Sequence, residues 1–305
     1  MKKRLNSYWI LLFLPLICSG QQESYYSFYK TAMNLINPAY AGSEEGALFS
    51  FVSRQQWSLD EEAPATVAFS YATSRANNVG LGISIISDKV FIEKQTVATI
   101  DFSYQLDMET TKIYLGLKAG GNFYKADPTS LLVFAPTPDP IQQPLSKFNP
   151  NIGVGALLKK ENLWISFSLP RIFNSNRTRD QVIIARDRIH SYLGAGFTLP
   201  LSTNLDVKPS FLMRKVKGLD LSTDLTGVLS WQDLFDFGIS YRTSGALSLL
   251  SSIRYGIFDI GYAYETPILS GLAQLNLKTH EVFLRIHLGA KPTEATTDPE
   301  IEEEE

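Results

Sequence analysis

The chain has 305 residues, a formal net charge of −3 at pH 7 and one cysteine, Cys18. The near balance of acidic and basic residues argues against a nucleic-acid partner, because proteins that bind nucleic acid concentrate positive charge on one surface. One cysteine cannot form the disulfide framework that many secreted domains use. After the N-terminal region, no segment approaches the roughly 18 consecutive apolar residues of a transmembrane helix.

The first twenty residues have the pattern of a secretory signal peptide. A basic start at residues 2–4 precedes an apolar run at residues 8–17, which is too short to span a bilayer. Small residues then predict cleavage after Gly20, so that the mature chain would begin at Gln21 and contain no cysteine. Two alternatives are an uncleaved anchor and a lipoprotein attached through Cys18, although Cys18 lacks the small preceding residue of a lipoprotein site.

The rest of the chain alternates apolar and polar residues in runs of about ten positions. In residues 235–242, for example, one face is aromatic or aliphatic and the other is small or charged. Such strands are typical of a barrel with lipid outside and polar packing inside. The sequence therefore predicts an all-β fold, a transmembrane antiparallel up-and-down β-barrel of about fourteen strands in an outer membrane. The predicted strands are residues 46–57, 66–74, 79–88, 95–106, 112–124, 151–159, 163–170, 190–199, 205–215, 219–230, 234–243, 246–255, 257–265 and 279–288.

The predicted connections alternate in length. Tight turns follow the even-numbered strands, and the longest connections follow odd-numbered strands, at residues 59–65, 125–150, 171–189 and 266–278. This alternation is the arrangement of outer-membrane barrels, in which the short turns face the periplasm. The connection at residues 125–150 contains six prolines. We expect it to be an exposed loop, because a strand cannot run through so many prolines.

These patterns divide the chain into four segments. We expect a signal peptide at residues 1–20, a periplasmic N-terminal segment at residues 21–43, the barrel at residues 44–290 and an acidic tail at residues 291–305. The polar composition of the tail predicts disorder. An even number of strands predicts that both termini are periplasmic.

Charged residues of both signs fall on the predicted inward face of the strands. They are Asp101, Lys118, Asp220, Asp224, Asp236, Arg242, Arg254, Asp259, Glu265, Arg285 and His287. We favour a lumen braced by ion pairs, and the alternative is a polar passage or a binding site for a partner. A selective ion pore would favour one sign of charge.

The sequence contains no recognisable catalytic, metal or cofactor motif. The three histidines lack metal-ligand spacing, and no cysteine would remain in the mature chain. Glycine pairs such as Gly80 and Gly82 precede no predicted helix, so they are not a dinucleotide fingerprint and are expected to ease curvature or make room in the lumen. We therefore expect no enzyme activity and no cofactor, although a serine and a histidine from separate strands would escape this reasoning.

The segment before the first strand has two interpretations. Asn37, Pro38 and Gly42 favour a tight turn that leads into the barrel. The alternative is a periplasmic plug or docking surface with aromatic anchors. The aromatic residues are Tyr25, Tyr26, Phe28 and Tyr29.

Two residues of the first strand are predicted to face opposite sides of the wall. Arg54 and Trp57 are three positions apart, so Arg54 would point inward and Trp57 outward. Trp57, with Trp164 and Trp231, would then belong to an aromatic girdle at the membrane interface.

A series of short motifs connects the chain to a known family. Residues 36–42 read Ile-Asn-Pro-Ala-Tyr-Ala-Gly, and residues 54–57 read Arg-Gln-Gln-Trp. Asn-Val-Gly-Leu-Gly at residues 78–82 and Gly-Leu-Lys-Ala-Gly at residues 116–120 follow. The last two motifs of the series are Asn-Ile-Gly-Val-Gly at residues 151–155 and Thr-His-Glu at residues 279–281. Together they resemble the PorP/SprF family of type IX secretion system membrane proteins over essentially the whole predicted mature chain.

The resemblance implies a barrel of the secretion and gliding apparatus, embedded in outer-membrane lipid. Such a barrel would bind the C-terminal sorting domain of a specific secreted or surface protein and support its export or anchoring. Core members would also contact periplasmic components of the machine. The partner surface would be the long loops at residues 125–150 and 171–189, the lumen or the N-terminal segment. The candidate partner-binding residues are Tyr25, Tyr26, Phe28, Tyr29, Asn37, Pro38, Tyr40 and Arg54.

Two other functions fit the same barrel. A passive channel for small solutes would conduct ions when purified alone. A structural anchor would use the N-terminal segment and the acidic tail to tether the motor of the gliding apparatus.

Overall fold

A computed structural model describes residues 25–56, 63–75, 77–128, 144–173, 176–179, 182–186, 188–268 and 278–289. Most of these residues form antiparallel strands. In chain order the strands are β1 (Ala47–Gln56), β2 (Ala65–Arg75), β3 (Val79–Val90), β4 (Glu93–Met108), β5 (Thr111–Ala126), β6 (Leu145–Lys160), β7 (Leu163–Arg171), β8 (Asn176–Arg179), β9 (Val182–Arg186), β10 (His190–Phe197), β11 (Leu199–Ser202), β12 (Leu205–Val216), β13 (Ser222–Trp231), β14 (Phe235–Arg242), β15 (Ala246–Tyr255), β16 (Phe258–Pro267) and β17 (Thr279–Leu288).

The sheet closes on itself. Consecutive wall strands pair with each other, and β1 pairs with β17 along its whole length. β10 and β11 run in line and both pair with β12, so together they form one strand of the wall. The result is a closed antiparallel barrel of fourteen strands, which confirms the predicted fold. Within the described residues, β8 and β9 pair with each other as a separate hairpin.

The break between β10 and β11 has a local cause on the neighbouring strand. Gly196 pairs with Ser210 and Leu199 pairs with Val207, so Pro209 of β12 lies between the two pairings. Proline has no N–H to donate to a ladder. The interruption therefore falls where β12 lacks a donor.

The sixth wall strand begins earlier than the sequence predicts. β6 starts at Leu145 and passes through Pro150, so the prediction that no strand enters this proline-rich stretch is wrong at its C-terminal end. Pro150 pairs with Gly121 of β5, whereas the β6–β7 ladder begins only at Val154. Proline is tolerated where a strand has an edge without a ladder partner, since no backbone bond is lost there.

Side chains alternate between an outer apolar surface and a polar lumen. On β14, Phe237, Ile239 and Tyr241 are exposed, whereas Ser240 and Arg242 are buried inside the barrel. This pattern confirms the alternation predicted for residues 235–242. The apolar outer band is the surface that such a barrel presents to lipid.

The predicted aromatic girdle is only partly correct. Trp231 is half exposed on the outer surface and stacks on Phe235, with 6.0 Å between the ring centroids. Trp164 instead shares the inward face of β7 with the buried Ser166, so its assignment to the girdle is wrong. It packs against the core inside the lumen. Trp57 lies outside the described residues.

The two ends of the barrel differ. The short-turn rim carries tight connections, at residues 109–110, 161–162, 203–204, 232–234 and 256–257. The long-loop rim carries the connections between β1 and β2, β5 and β6, β7 and β10, and β16 and β17. Much of the predicted loop at residues 125–150 lies outside the described residues, as do the predicted signal peptide and the acidic tail.

Residues 25–43, called the luminal segment below, fold into short helical turns. They form a 3₁₀ turn (Tyr29–Ala32), the single helical turn α1 (Met33–Ile36) and a second 3₁₀ turn (Pro38–Gly42). No helix in the described part of the chain is long and apolar enough to cross a membrane.

The lipid-facing assignment predicts a depth-dependent cost for a charged residue. Ile100 lies midway along β4 with 63% of its surface exposed, and Met108 lies at the end of β4 with 59% exposed. We expect Ile100→Arg to lower the free energy of unfolding in lipid by about 2–4 kcal/mol and Met108→Arg by about 0–1 kcal/mol. Unfolding in urea from lipid vesicles measures both values. Equal costs for the two variants would contradict the assignment of Ile100 to the middle of the membrane.

Candidate functional site

The luminal segment runs along the inside of the barrel from one rim to the other. At the short-turn rim, Lys159 Nζ donates to the Ser43 carbonyl at 2.8 Å and lies 3.1 Å from Glu44 Oε1. Near the long-loop rim, the Tyr25 ring lies 3.5 Å from the guanidinium carbon of Arg214 and 4.1 Å from that of Arg242. The segment therefore occupies the lumen over most of its height.

The Glu44 anchor at the short-turn rim is ionised at neutral pH. Burial opposes its ionisation, but the positive charges of Lys159 and Arg285 outweigh burial and hold the pKa of Glu44 below its ordinary value. A charge-assisted contact therefore fixes the point where the luminal segment leaves the lumen and enters β1.

A second anchor lies at mid-depth. Lys118 Nζ is 2.7 Å from Asp101 Oδ1 and donates to the Asn34 carbonyl of α1 at 3.2 Å. The carbonyls of a single helical turn have few partners within the helix, so a cation from the wall satisfies one of them. Both charged side chains are buried, and each supplies the countercharge that the other needs.

Asn37 connects the luminal segment to the neighbouring strands β6 and β7. Its Oδ1 accepts from the Ala39 N–H at 2.9 Å and caps the second 3₁₀ turn. Its Nδ2 donates to Ser166 Oγ at 2.8 Å and to the carbonyls of Ala156 and Phe167 at 3.1 and 3.2 Å. The predicted turn is present, and the same side chain also ties the turn to β6 and β7.

Inward glycines on the wall allow this close approach. A Cβ atom at Gly116 would collide with the backbone of Pro38 and Ala39, and one at Gly155 would collide with the Asn37 side chain. The role of such glycines is to let one backbone lie directly against another. They make room for the luminal segment, which the sequence suggested only in general terms.

The strongest contacts lie near the long-loop rim, in a cluster called the luminal clamp, which consists of Arg54, Asp224, Arg242, Glu265 and Glu281. Glu281 accepts from the backbone N–H groups of Ser27 and Phe28 at 2.8 and 2.9 Å. Arg54 joins Glu281 to Glu265, with N–O distances of 3.1 and 2.6 Å. Arg242 then joins Glu265 to Asp224 at 3.1 and 2.7 Å.

The luminal clamp is buried, and its charges are mutually paired. All five side chains are at most 9% exposed. A buried ion pair costs desolvation, and removal of one member leaves an uncompensated charge. Such a network fixes geometry more than it adds stability.

The aromatic residues of the luminal segment face the wall. Phe28 meets Phe283 edge to face, with 4.6 Å between the ring centroids, and the Tyr29 hydroxyl lies 2.8 Å from Ser210 Oγ. Tyr26 belongs to the same buried core. Tyr40 packs at the edge of this core. All eight candidate partner-binding residues therefore contact other parts of the same chain.

The charged residues that were predicted to face the lumen form two groups, and one of them, Asp220, does not face the lumen. Asp101, Lys118 and three members of the luminal clamp are buried inside, whereas Asp236, Arg254, Asp259 and Arg285 lie toward the short-turn rim. Asp220 was predicted to face the lumen, but it is exposed in the connection after β12, because β13 begins only at Ser222.

A cavity of about 530 Å³ remains between the luminal segment and the wall, and its lining extends from Glu161 and Asn162 at the short-turn rim up to Ser27 and Phe28. Asp259 there lies 2.7 Å from Arg254 Nε and 2.9 Å from His287 Nε2. The charged lining includes both signs, and Trp164 and Phe283 contribute apolar surface. The described residues contain no group of acidic, histidine or cysteine side chains that could hold a metal ion.

Sequence reasoning missed several contributors to the site. Two of them, Ser27 and Asn34, contribute a backbone N–H and a backbone carbonyl, which no sequence motif marks. The third is Lys159, whose ammonium group belongs to no recognised motif. The available signal was the set of inward glycines on β3, β5 and β6, since small residues on a lumen wall predict that another backbone lies against them.

The family of type IX secretion system membrane proteins PorP/SprF matches residues 18–286. The chain belongs to the PorP/SprF family. It is therefore an outer-membrane barrel of type IX secretion, as the motifs predicted. No curated protein matches the chain significantly.

Solved structures with the same general architecture share little sequence with this PorP/SprF member. The outer-membrane protein Omp33 of Acinetobacter baumannii is 8% identical, with a TM-score of 0.47, over 81% of this chain and 100% of that chain. The toluene transporter TbuX of Ralstonia pickettii is 10% identical, with a TM-score of 0.48, over 84% of this chain and 92% of that chain.

The luminal clamp predicts a specific loss when Glu281 is neutralised. Glu281→Gln keeps the shape of the side chain but weakens the contacts to Ser27, Phe28 and Arg54. We expect the free energy of unfolding to fall by about 1–3 kcal/mol, because hydrogen bonds to a charged group are lost. Urea unfolding from lipid vesicles, with the folded fraction read from heat-modifiable gel mobility, measures the change.

Glu161→Gln is the matched control for this substitution, because Glu161 is exposed in a turn at the short-turn rim. Its effect should stay within about 0.5 kcal/mol, as for most surface substitutions. A Glu281→Gln barrel as stable as this control would show that the luminal clamp does not hold the segment.

The close approach at Gly116 predicts that a larger residue displaces the luminal segment. Gly116→Val would place side-chain atoms into the backbone of Ala39, whereas a Cβ atom at Gly227 has open space around it. We expect overpacking to destabilise the Gly116→Val barrel by about 1–3 kcal/mol and to expose residues 25–43 to protease. Gly227→Ala should leave both properties unchanged. Full protection of the segment in Gly116→Val would contradict its packing against β5.

Proposed function

We propose that this barrel supports type IX secretion by binding the C-terminal sorting domain of a specific secreted or surface protein, so that the protein is exported or retained at the cell surface. The family supplies the secretion context. The observation that carries the choice of binding over conduction is the occupied lumen. Residues 25–43 contact the wall near both rims and at mid-depth.

A passive channel would need a continuous water-filled path. Barrels of sixteen to eighteen strands leave such a path when nothing fills them. In this barrel the buried luminal clamp and the buried Asn37 contacts lie across the lumen, and the remaining cavity is bounded by the luminal segment. These contacts favour a closed barrel that presents surfaces over one that conducts solutes.

The partner surface that we propose is the long-loop rim. β4, β5 and β6 have 16 residues each, whereas β1 has 10, so the wall is taller on one side of this rim. The β5–β6 ladder runs to Ala126 and Leu145, so the connection between these two strands starts on the tall side of the rim. Loops held by a rigid scaffold are common binding surfaces. The aromatic residues of the luminal segment already contact the wall and would need to leave it to bind a partner.

The test is a mild-detergent pull-down of the tagged barrel from its own outer membrane, followed by mass spectrometry. We expect stoichiometric retention of a secreted protein that is lost when the C-terminal domain of that protein is removed. The purified barrel in a planar bilayer should conduct little. A barrel with no stoichiometric partner that conducts ions would instead establish the passive channel.

Two matched variants locate the partner surface. Replacement of residues 129–143 by a short glycine-serine linker should abolish retention of the partner, because it removes most of the connection between β5 and β6. Deletion of residues 291–305 should leave retention and motility intact. Lost motility with intact retention in the tail deletion would favour the structural anchor instead.

A further inference from the structure

The luminal segment has a fixed direction inside the barrel. Ser43 contacts Lys159 at the short-turn rim, Asn34 contacts Lys118 at mid-depth, and Ser27 contacts Glu281 near the long-loop rim. The chain therefore descends from the long-loop rim to the short-turn rim and then turns back as β1.

The start of the described segment is close to the long-loop rim. Tyr25 lies against Arg242, the last residue of β14, and against Arg214, which pairs with Ser222 at the start of β13. The described chain ends at Gly289, whose position lies beside Gly46 at the short-turn rim. The two ends of the described barrel thus lie at opposite rims, although the sequence predicted both termini on one side.

The reach of the chain prevents a return through the barrel. Cleavage after Gly20 would leave four residues before Tyr25, and four extended residues span at most about 14 Å. The apolar band of an outer-membrane barrel is about 25 Å tall. Residues 21–24 are too short to reach the short-turn rim from the position of Tyr25.

We infer that the N-terminus of the mature chain lies at the long-loop mouth of the barrel, on the opposite side of the membrane from the acidic C-terminal tail. With short turns in the periplasm, the N-terminus faces the exported protein and the tail faces the periplasmic machinery. The two ends of the chain then offer separate surfaces to two compartments. The luminal segment links the compartments through the barrel.

Single cysteines test this sidedness, because the predicted mature chain contains none. Gln22→Cys reports the N-terminus and Glu303→Cys the tail, while Ser244→Cys and Glu161→Cys mark the exposed long-loop and short-turn rims. Cells are treated with a membrane-impermeant maleimide before and after permeabilisation of the outer membrane. We expect Gln22→Cys to label like Ser244→Cys, and Glu303→Cys to label like Glu161→Cys.

The result that overturns the inference is labelling of Gln22→Cys only under the conditions that label Glu161→Cys, or no labelling in either condition. The comparison with the two rim markers makes the result independent of the barrel's orientation. It is also independent of partner binding, so its failure would leave the proposed sorting-domain function standing.

A cross-link tests the path through the lumen in the native membrane. The hydroxyl oxygens of Ser27 and Ser248 lie 3.5 Å apart. Paired Ser27→Cys and Ser248→Cys should form a disulfide under mild oxidation that shifts the mobility of the barrel on a gel. Ser27→Cys with Gly227→Cys is the control, because Gly227 faces outward. Absence of the first cross-link, or its formation in the control pair, would overturn the proposed path.

Discussion

A fourteen-strand barrel encloses more space than its own inward side chains can fill, and this constraint shapes the rest of the structure. Eight strands leave an interior just wide enough for side chains, and sixteen leave an aqueous channel. This chain fills the difference with its own residues 25–43. The glycines of the wall, the buried ion pairs and the capped helical turns all serve the packing of that segment.

The luminal segment brings a polar backbone into a confined space, where charged side chains of the wall bind its N–H and carbonyl groups. Short helical turns satisfy few of their own backbone groups. Glu281 accepts two consecutive N–H groups, while Lys118 and Lys159 donate to carbonyls at Asn34 and Ser43. The lumen wall carries charges of both signs, which a selective pore would not favour. The luminal segment presents both N–H donors and carbonyl acceptors, so the wall needs both acidic and basic side chains to bind it. Charged side chains of the wall that have no partner on the luminal segment form ion pairs with one another.

Period-two alternation predicted the barrel, its fourteen strands and most of its inward charges, because each strand is patterned by lipid on one side and lumen on the other. The same logic failed at Trp164, whose indole fills lumen space instead of joining the outer girdle. The expectation that prolines exclude a strand failed at Pro150, where β6 continues with a ladder on one side only. The path of residues 25–43 was beyond sequence reasoning, since their contacts join residues up to 254 positions apart and have no local period.

The seam that closes the barrel also holds the luminal segment. Arg54 of β1 and Glu281 of β17 are direct cross-strand partners in the closing pair. The same two side chains bind Ser27, through its hydroxyl and its N–H. Closure of the sheet therefore completes the binding site for the segment, and the docked segment bridges the two strands of the seam. Because β1 follows the segment directly in the chain, its docking also places β1 at the position where it must meet β17. The same residues therefore close the wall and hold the segment that fills the lumen.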